Sequence, residues 1–152
     1  MLRMSKLTDY GTAVMTYLAR DPDNLHTANE VAAGVHLAPP TASKILKMLV
    51  RNGLVISHRG TKGGYVLARA AKDISVVQVL DAIEGPVGLT QCSHSPGVCE
   101  QEPHCSVRGN WQRINRTIRE ALADVSLAEM AKPATTHVVR FSRSSSVPRA
   151  RL

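Results

Sequence analysis

The chain has 152 residues, of which 43% are hydrophobic, and a formal net charge of +7, which is enough for one core or for a small domain with an oligomerisation arm. Aromatic residues make up only 3% of the chain, which argues against RNA or single-strand binding on stacked rings. Because Met1 to Gly11 lacks a hydrophobic signal core and no later segment is long and apolar enough to span a membrane, we expect a soluble, cytoplasmic protein.

The basic residues are unevenly distributed along the chain. Residues 31–72 carry seven basic side chains and no acidic one, namely Lys44, Lys47, Arg51, Arg59, Lys62, Arg69 and Lys72. Such a stretch can neutralise phosphates and release their counterions, which indicates binding to duplex DNA. A solvated basic surface is the alternative, and it suits Arg69 and Lys72 best.

The first predicted elements are two helices. Apolar residues recur at helical spacing over residues 7–20, and Asp21-Pro22-Asp23-Asn24 ends that helix. Thr27 and Glu30 have the spacing of a capping box, which predicts a short helix through Val35.

A third helix completes a helix-turn-helix. After a turn at residues 36–38, Pro39-Pro40 suits the first turn of a helix, and Asn52-Gly53 suits its C-terminal stop. In such a motif the second helix enters the major groove.

The face of this helix predicts its contacts. Lys44, Lys47 and Arg51 lie three and four residues apart and are expected on phosphates, whereas Thr41 and Ser43 lie near the N-terminus, where side chains reach base edges.

The next elements form a β-hairpin. Leu54-Val55-Ile56 and Tyr65-Val66-Leu67 favour strands, and the glycines between them permit a tight reversal. This hairpin is predicted to be a wing, with Arg59 and Lys62 on the DNA backbone or in a minor groove. A nucleotide-binding loop is disfavoured because no helix with Ser or Thr follows the lysine.

The second half of the chain contains two predicted helices around an irregular segment. Ser75 and Gln78 cap a helix that stops at Gly85, residues 86–105 are irregular, and a long helix is expected over residues 106–131. Its apolar stripe follows three-four spacing and comprises Trp111, Ile114, Ile118, Ala121, Val125 and Ala128. The stripe packs on the chain's own core or, as we expect for a DNA reader, on a twofold mate.

The chain ends in a segment of different composition. Residues 132–152 are rich in Ser and Arg and have no periodic apolar face, which predicts a disordered basic tail.

Three cysteines lie close together in the irregular segment. Cys92, Cys99 and Cys105 have the spacing Cys-x6-Cys-x5-Cys, and no other cysteine occurs. Three interpretations stay open: an iron–sulfur cluster, a zinc site completed by His94 or His104, and a metal-free thiol switch. A small thiol or metal enzyme is disfavoured, because the sequence offers no further polar constellation for catalysis.

The whole pattern resembles the Rrf-two family of bacterial winged-helix regulators, which includes the IscR-type and NsrR-type iron–sulfur sensors. The resemblance covers about residues 1–131, and its most specific marks are Arg51-Asn52-Gly53-Leu54-Val55, Arg59-Gly60 with Gly63-Gly64-Tyr65, and the cysteines before a long helix. Leu7-Thr8-Asp9-Tyr10-Gly11, together with the cysteine loop, is most similar to the branch that regulates the SUF iron–sulfur assembly operon.

The resemblance implies a division of the chain. Residues 1–85 would be a winged helix-turn-helix DNA-binding domain, residues 86–105 a cluster-binding loop and residues 106–131 a dimerisation helix. The expected fold class is therefore mainly α with a small β-wing. The dimer contacts would come from Trp111, Ile114, Ile118, Ala121 and Val125.

The resemblance also implies a ligand set for a 2Fe-2S or 4Fe-4S cluster. Cys92, Cys99 and Cys105 would be ligands, but Arg108 stands where one branch has a ligating histidine. Another branch uses an aspartate of the partner subunit, which Asp9 matches, with His104 and His94 as alternatives. The first cysteine gap is one residue longer here than is usual in the family.

The resemblance further implies a function. The chain would be a dimeric, cluster-dependent repressor of iron–sulfur assembly genes that binds a palindromic operator. Ser43 replaces an acidic base-reading residue of the IscR type, which implies a different operator preference. A nitric-oxide or redox sensor of the same fold, and a zinc or thiol switch, are the alternatives.

Overall fold

The computed structural model describes residues 4–95 and 97–133, so that residues 134–152 of the predicted tail lie outside the described part. The fold is mainly α-helical with one antiparallel hairpin, which confirms the predicted class. The helices and strands are α1 (Lys6–Arg20), α2 (Ala28–Gly34), α3 (Pro39–Arg51), β1 (Val55–His58), β2 (Gly64–Leu67), α4 (Val76–Glu84), α5 (Gln91–His94), α6 (Arg108–Ala123) and α7 (Leu127–Met130). None of these helices is long and apolar enough to cross a membrane.

The core lies between α1, α3 and α4. Val14 and Leu18 of α1 and Ile45 and Leu49 of α3 are fully buried, and Val79 of α4 packs with them. Their three- and four-residue spacings place them on one face of each helix. Burial of each such side chain stabilises the folded state by roughly 1.5–3 kcal/mol. Because the apolar face of α3 is directed to the core, its polar face lies on the surface.

The helix-turn-helix has the predicted caps. The Thr27 hydroxyl accepts from the Glu30 N–H at 3.2 Å, and the Glu30 carboxylate accepts from the Thr27 N–H at 2.7 Å. The chain turns at His36, whose φ is +55°, and Pro39-Pro40 occupies the first two positions of α3. After α3, Gly53 adopts a φ of +69°, which glycine tolerates without strain.

The hairpin is anchored at its base and on one edge. Val55 pairs with Leu67, and both side chains are buried. The backbone of Tyr65 exchanges two hydrogen bonds with that of His26, of 2.8 and 3.0 Å. The segment between α1 and α2 therefore holds the wing against the helices.

The predicted single helix over residues 106–131 is wrong, because the structure divides this segment into two helices. α6 begins at Arg108 and ends at Ala123, and α7 follows as a separate helix. The Ser126 hydroxyl accepts from the Glu129 N–H at 3.2 Å and caps α7. A serine in this position favours a new helix N-terminus over continuation of the old helix.

The break lets the chain return to the N-terminal half. The Val76 N–H donates to the Val125 carbonyl at 2.9 Å, and the Leu127 N–H donates to the Ile74 carbonyl at 2.7 Å. Leu127 thereby reaches the core with 1% of its surface exposed. Val125 thus lies in this return segment and not on α6, and Ala128 lies on α7, which corrects their assignment to one helical stripe.

Residues 86–105, the cysteine loop, contain more regular structure than the sequence predicts. The loop contains α5 and a 3-10 turn over Glu102–His104. The described residues between these two elements have no regular secondary structure. Cys92 lies in α5, Cys99 precedes the 3-10 turn and Cys105 follows it.

Candidate DNA-binding surface and cysteine loop

The exposed face of α3 carries the predicted basic residues. Lys44, Lys47 and Arg51 are exposed, and within the described residues none of them forms an ion pair. Thr41 and Ser43 are half-buried at the N-terminal end of the same helix. A shallow depression of about 540 Å³ lies on this face, lined by Pro40, Ser43, Lys44, Lys47, Met48 and Arg51. The five predicted DNA contacts of α3 thus lie on one helix, and its three cations have no acidic partner in the part of the chain that the structure describes.

The wing extends this positive surface. Arg59 and Lys62 are exposed in the turn between β1 and β2. The Gly63 N–H donates to the Gly60 carbonyl at 3.0 Å, and the backbone packs so closely at Gly63 that a side chain there would collide with the His58 carbonyl. The glycines therefore set the shape of the turn that presents the two cations.

Asn52 has a role that its sequence context does not reveal. Its side-chain amide donates to the Met48 carbonyl at 2.9 Å and to the Ala82 carbonyl at 3.0 Å. It thus joins the C-terminal end of α3 to α4. The sequence indicates only a helix stop here, because the acceptor on Ala82 is thirty residues away.

The cysteine loop holds three free thiols in different environments. Cys92 is 7% exposed, and its Sγ lies 3.3 Å from the Thr90 hydroxyl oxygen. Cys99 and Cys105 are half-buried, and all three are free. Within residues 4–95 and 97–133, no three Cys, His, Asp or Glu side chains lie close enough together to hold one metal ion.

The other predicted ligands lie at separate positions. His94 is exposed and its Nδ1 lies 2.6 Å from the Pro86 carbonyl oxygen, while His104 is exposed in the 3-10 turn. Asp9 is exposed in the first turn of α1. Chemically, three thiolates from one loop suit iron–sulfur coordination, so the donor set fits such a cluster, although the loop as folded does not gather it.

A buried carboxylate that sequence reasoning missed crosses the cysteine loop. Glu102 is 7% exposed, and its carboxylate accepts from the Gly97 N–H at 2.6 Å and forms an ion pair with the Arg108 guanidinium at 2.7 Å. The pair at positions 102 and 108 has no regular helical spacing, so only the folded loop brings it together. Arg108, which stands where one branch of the family has a ligating histidine, thus forms an ion pair with Glu102.

The α6 helix is attached to α4 by polar contacts. Arg119 donates two hydrogen bonds to the carboxylate of Asp81, of 2.9 and 2.7 Å. Partial burial opposes ionisation of Asp81, but hydrogen bonds from Arg119 and from the Val87 N–H outweigh it and hold the pKa of that carboxyl below its usual value. Asn115, 7% exposed, accepts from the Leu89 N–H at 3.1 Å.

The predicted dimer residues lie on α6 with unequal exposure. Trp111 and Ile114 are each 41% exposed, Ile118 is half-buried and Ala121 is exposed. Val125, in the return segment, is 37% exposed. Large apolar side chains therefore remain on the surface of a single chain.

Comparison with known proteins identifies the family. The Rrf2 (Rrf-two) profile, described as an iron-dependent transcriptional regulator, matches residues 4–133. The HTH-type transcriptional regulator Rv1287 of Mycobacterium tuberculosis is 30% identical over 86% of this chain and 81% of its own length. The HTH-type transcriptional regulator IscR of Xenorhabdus nematophila is 35% identical over 59% of this chain and 54% of its own length.

Solved structures agree with this assignment. The structure of CymR (YrzC), the global cysteine regulator of B. subtilis, has a TM-score of 0.68 at 26% identity and covers 86% of this chain and 97% of its own. IscR of T. potens has a TM-score of 0.65 at 27% identity and covers 85% of each chain. Fold, exposed basic surface and relatives thus agree, and the chain belongs to the Rrf2 family of winged-helix transcription regulators.

Proposed function

We propose that this regulator binds a palindromic promoter operator as a cytoplasmic dimer and senses an iron–sulfur cluster. The observation that carries the proposal is the combination of an acid-free basic surface on α3 and the wing with three free thiols in the loop directly before α6. IscR proteins among its relatives support the cluster, and the family description supports iron dependence.

The DNA contacts divide into positioning and reading. Lys44, Lys47 and Arg51 neutralise phosphates beside the major groove, and Thr41 and Ser43 read base edges. Arg59 and Lys62 of the wing hold the backbone or enter an adjacent minor groove.

The cysteine loop supplies the sensor. Cys92, Cys99 and Cys105 hold a 2Fe-2S or 4Fe-4S cluster, and Asp9 of the partner subunit is the fourth ligand, with His104 and His94 as alternatives. A cluster held there would supply a redox-sensitive centre. An oxygen ligand is the easily displaced one, which suits a sensor.

The dimer brings two recognition helices to one operator. Trp111 and Ile114, both exposed, together with Ile118 and Ala121, form the contact between the two α6 helices. The genes under control are those for iron–sulfur assembly, and regulation is repression.

Anaerobic absorption spectroscopy with iron and sulfide analysis tests the sensor. Purified wild type should be coloured, with matched iron and sulfide, and Cys92→Ala should lose the colour. Both proteins should show sequence-specific, salt-sensitive DNA binding, which tests the DNA-binding surface separately from the proposed cluster. A colourless wild type after anaerobic reconstitution would refute the cluster.

A metal-free thiol switch is the second candidate, and it rests on the three free thiols of the cysteine loop, which form no metal-binding group among the described residues. It predicts oxidant-dependent operator binding in a protein without iron or sulfide. Zinc in a Cys3His site would be recognised by metal analysis of the same sample.

A further inference from the structure

The Glu102–Arg108 ion pair connects separate parts of the cysteine loop. One carboxylate oxygen of Glu102 accepts from the Gly97 N–H, and the other contacts the Arg108 guanidinium at 2.7 Å. Gly97 lies between Cys92 and Cys99, Glu102 lies between Cys99 and Cys105, and Arg108 is the first residue of α6.

The backbone of the same two residues holds two of the cysteines. The Glu102 N–H donates to the Cys99 carbonyl at 2.9 Å, and the Arg108 N–H donates to the Cys105 carbonyl at 3.3 Å. Because Glu102 is tied to Cys99 and Arg108 to Cys105, the ion pair sets the distance between the two turns that begin at these cysteines.

The Glu102 side of the ion pair is buried, and one donor on the Arg108 side lacks a hydrogen-bond partner among the described residues. Glu102 is 7% exposed, and a buried charge that loses its partner is costly. The Nε of Arg108 is buried and has no hydrogen-bond partner among the described residues. An unsatisfied buried donor favours rearrangements that bring it an acceptor.

We propose that the Glu102–Arg108 ion pair is a latch that sets the positions of Cys99 and Cys105 relative to α6, so that the helix responds to what these thiols bind. The latch rests on the proposed sensing function. Both residues act through the cysteines and the helix, and are therefore positioning residues.

Thiol reactivity of the metal-free protein tests the latch directly. We would measure the iodoacetamide alkylation rate of each cysteine by mass spectrometry in wild type, Glu102→Gln, Arg108→Gln and the double variant. Allowing for the partial exposure of Arg108, either single change should speed alkylation of Cys99 and Cys105 about three- to tenfold. The double variant should react no faster than either single one, because both remove the same interaction.

Two controls separate a latch from general loosening. Arg113→Gln removes another α6 arginine, which is exposed and has no ion-pair partner among the described residues, and should leave all three rates unchanged. Arg108→Lys keeps the charge and should restore part of the protection, and it replaces Arg108→Gln if that variant fails to fold. Folded variants with wild-type rates at Cys99 and Cys105, or a uniform increase at all three cysteines, would overturn the latch.

A second readout links the latch to DNA. We would measure operator affinity by fluorescence anisotropy with and without anaerobic loading by iron and sulfide. The ratio of the loaded to the unloaded affinity is then compared between wild type and the variant. Glu102→Gln should bring this ratio close to one, and an unchanged ratio would count against the latch. If loading does not change the operator affinity of wild type, the proposed sensing function fails. The alkylation rates of the metal-free protein would still test the latch.

Discussion

Individual residues on the α3 surface differ in what they can contribute. Lys47 is exposed and has no ion-pair partner among the described residues, whereas Ser43 is half-buried in the shallow depression beside it. An exposed cation contributes through counterion release, which is independent of base sequence. A short hydroxyl near the helix N-terminus contributes through base edges. The two residues should therefore give different signatures.

Lys47→Ala should weaken binding to the operator and to unrelated DNA by similar factors. The slope of log affinity against log salt should become shallower by about 0.9, because one phosphate contact is lost. Fluorescence anisotropy over a salt series measures both. Lys72→Ala, which removes an exposed lysine outside α3 and the hairpin, is the control, and an equal effect in it would contradict the assignment.

Ser43→Ala should leave the salt slope unchanged and reduce discrimination between operators that differ at one base pair. A lost base contact is worth about 1–3 kcal/mol at that position. Competition binding against a set of singly altered operators would locate the position. Uniform weakening over all of them would instead assign Ser43 to the backbone.

At the scale of elements, the return of the chain after α6 ties the second half to the first. Leu127 inserts into the core at 1% exposure, while Met130, on the same short helix, is 44% exposed. Stability gained by this return therefore resides mainly in one side chain.

Leu127→Ala should lower the free energy of unfolding by about 2–5 kcal/mol, because it leaves a cavity in a packed core. Met130→Ala should stay within about 0.5 kcal/mol of wild type, as exposed substitutions usually do. Urea denaturation measures both. Equal effects would mean that α7 does not dock in solution.

The contact between α4 and α6 should depend on pH. The pKa of Asp81 is lowered in the folded state because hydrogen bonds from Arg119 and the Val87 N–H outweigh the effect of partial burial. The unfolded carboxyl titrates near its ordinary value of about 3.9. Stabilisation is therefore complete above that value and is lost as pH falls through the lower, folded pKa.

Asp81→Asn should accordingly cost about 1 kcal/mol at neutral pH, and the difference from wild type should shrink as pH falls below the ordinary carboxyl pKa. Denaturation at several pH values tests this. Asp73→Asn changes an exposed aspartate and should cost little at any pH. A difference at Asp81 that persists in acid would rule out the ionic origin.

At the scale of the whole molecule, the exposed apolar residues of α6 are the proposed contact with a second chain. Trp111→Glu would place a charge in the proposed contact between two α6 helices, where desolvating it is costly. We expect sedimentation velocity to show a shift from dimer to monomer and operator affinity to fall at least about tenfold, since two half-sites are no longer bound together. Glu120→Ala, on an exposed position of the same helix, should remain a dimer.

Local sequence determined most of the first half of the protein. The capping box at Thr27, the prolines that open α3 and the glycine after it act within a few residues, so pattern alone predicts the helix-turn-helix and hairpin. The acid-free charge of residues 31–72 likewise needs no structure to indicate a polyanion.

Only the tertiary structure decided the arrangement of the second half. The stripe from Trp111 to Ala128 has uninterrupted helical spacing, yet α6 ends at Ala123. The local capping box of Ser126 and Glu129 starts α7, and burial of Leu127 in the core, with its N–H bonded to the Ile74 carbonyl, stabilises the break. Two contacts could not be predicted from spacing along the chain: the ion pair of Glu102 with Arg108, and the hydrogen bond from Asn52 to the Ala82 carbonyl. Local signals specify where helices start and stop, whereas long-range burial and hydrogen bonding select among the ends that those signals permit.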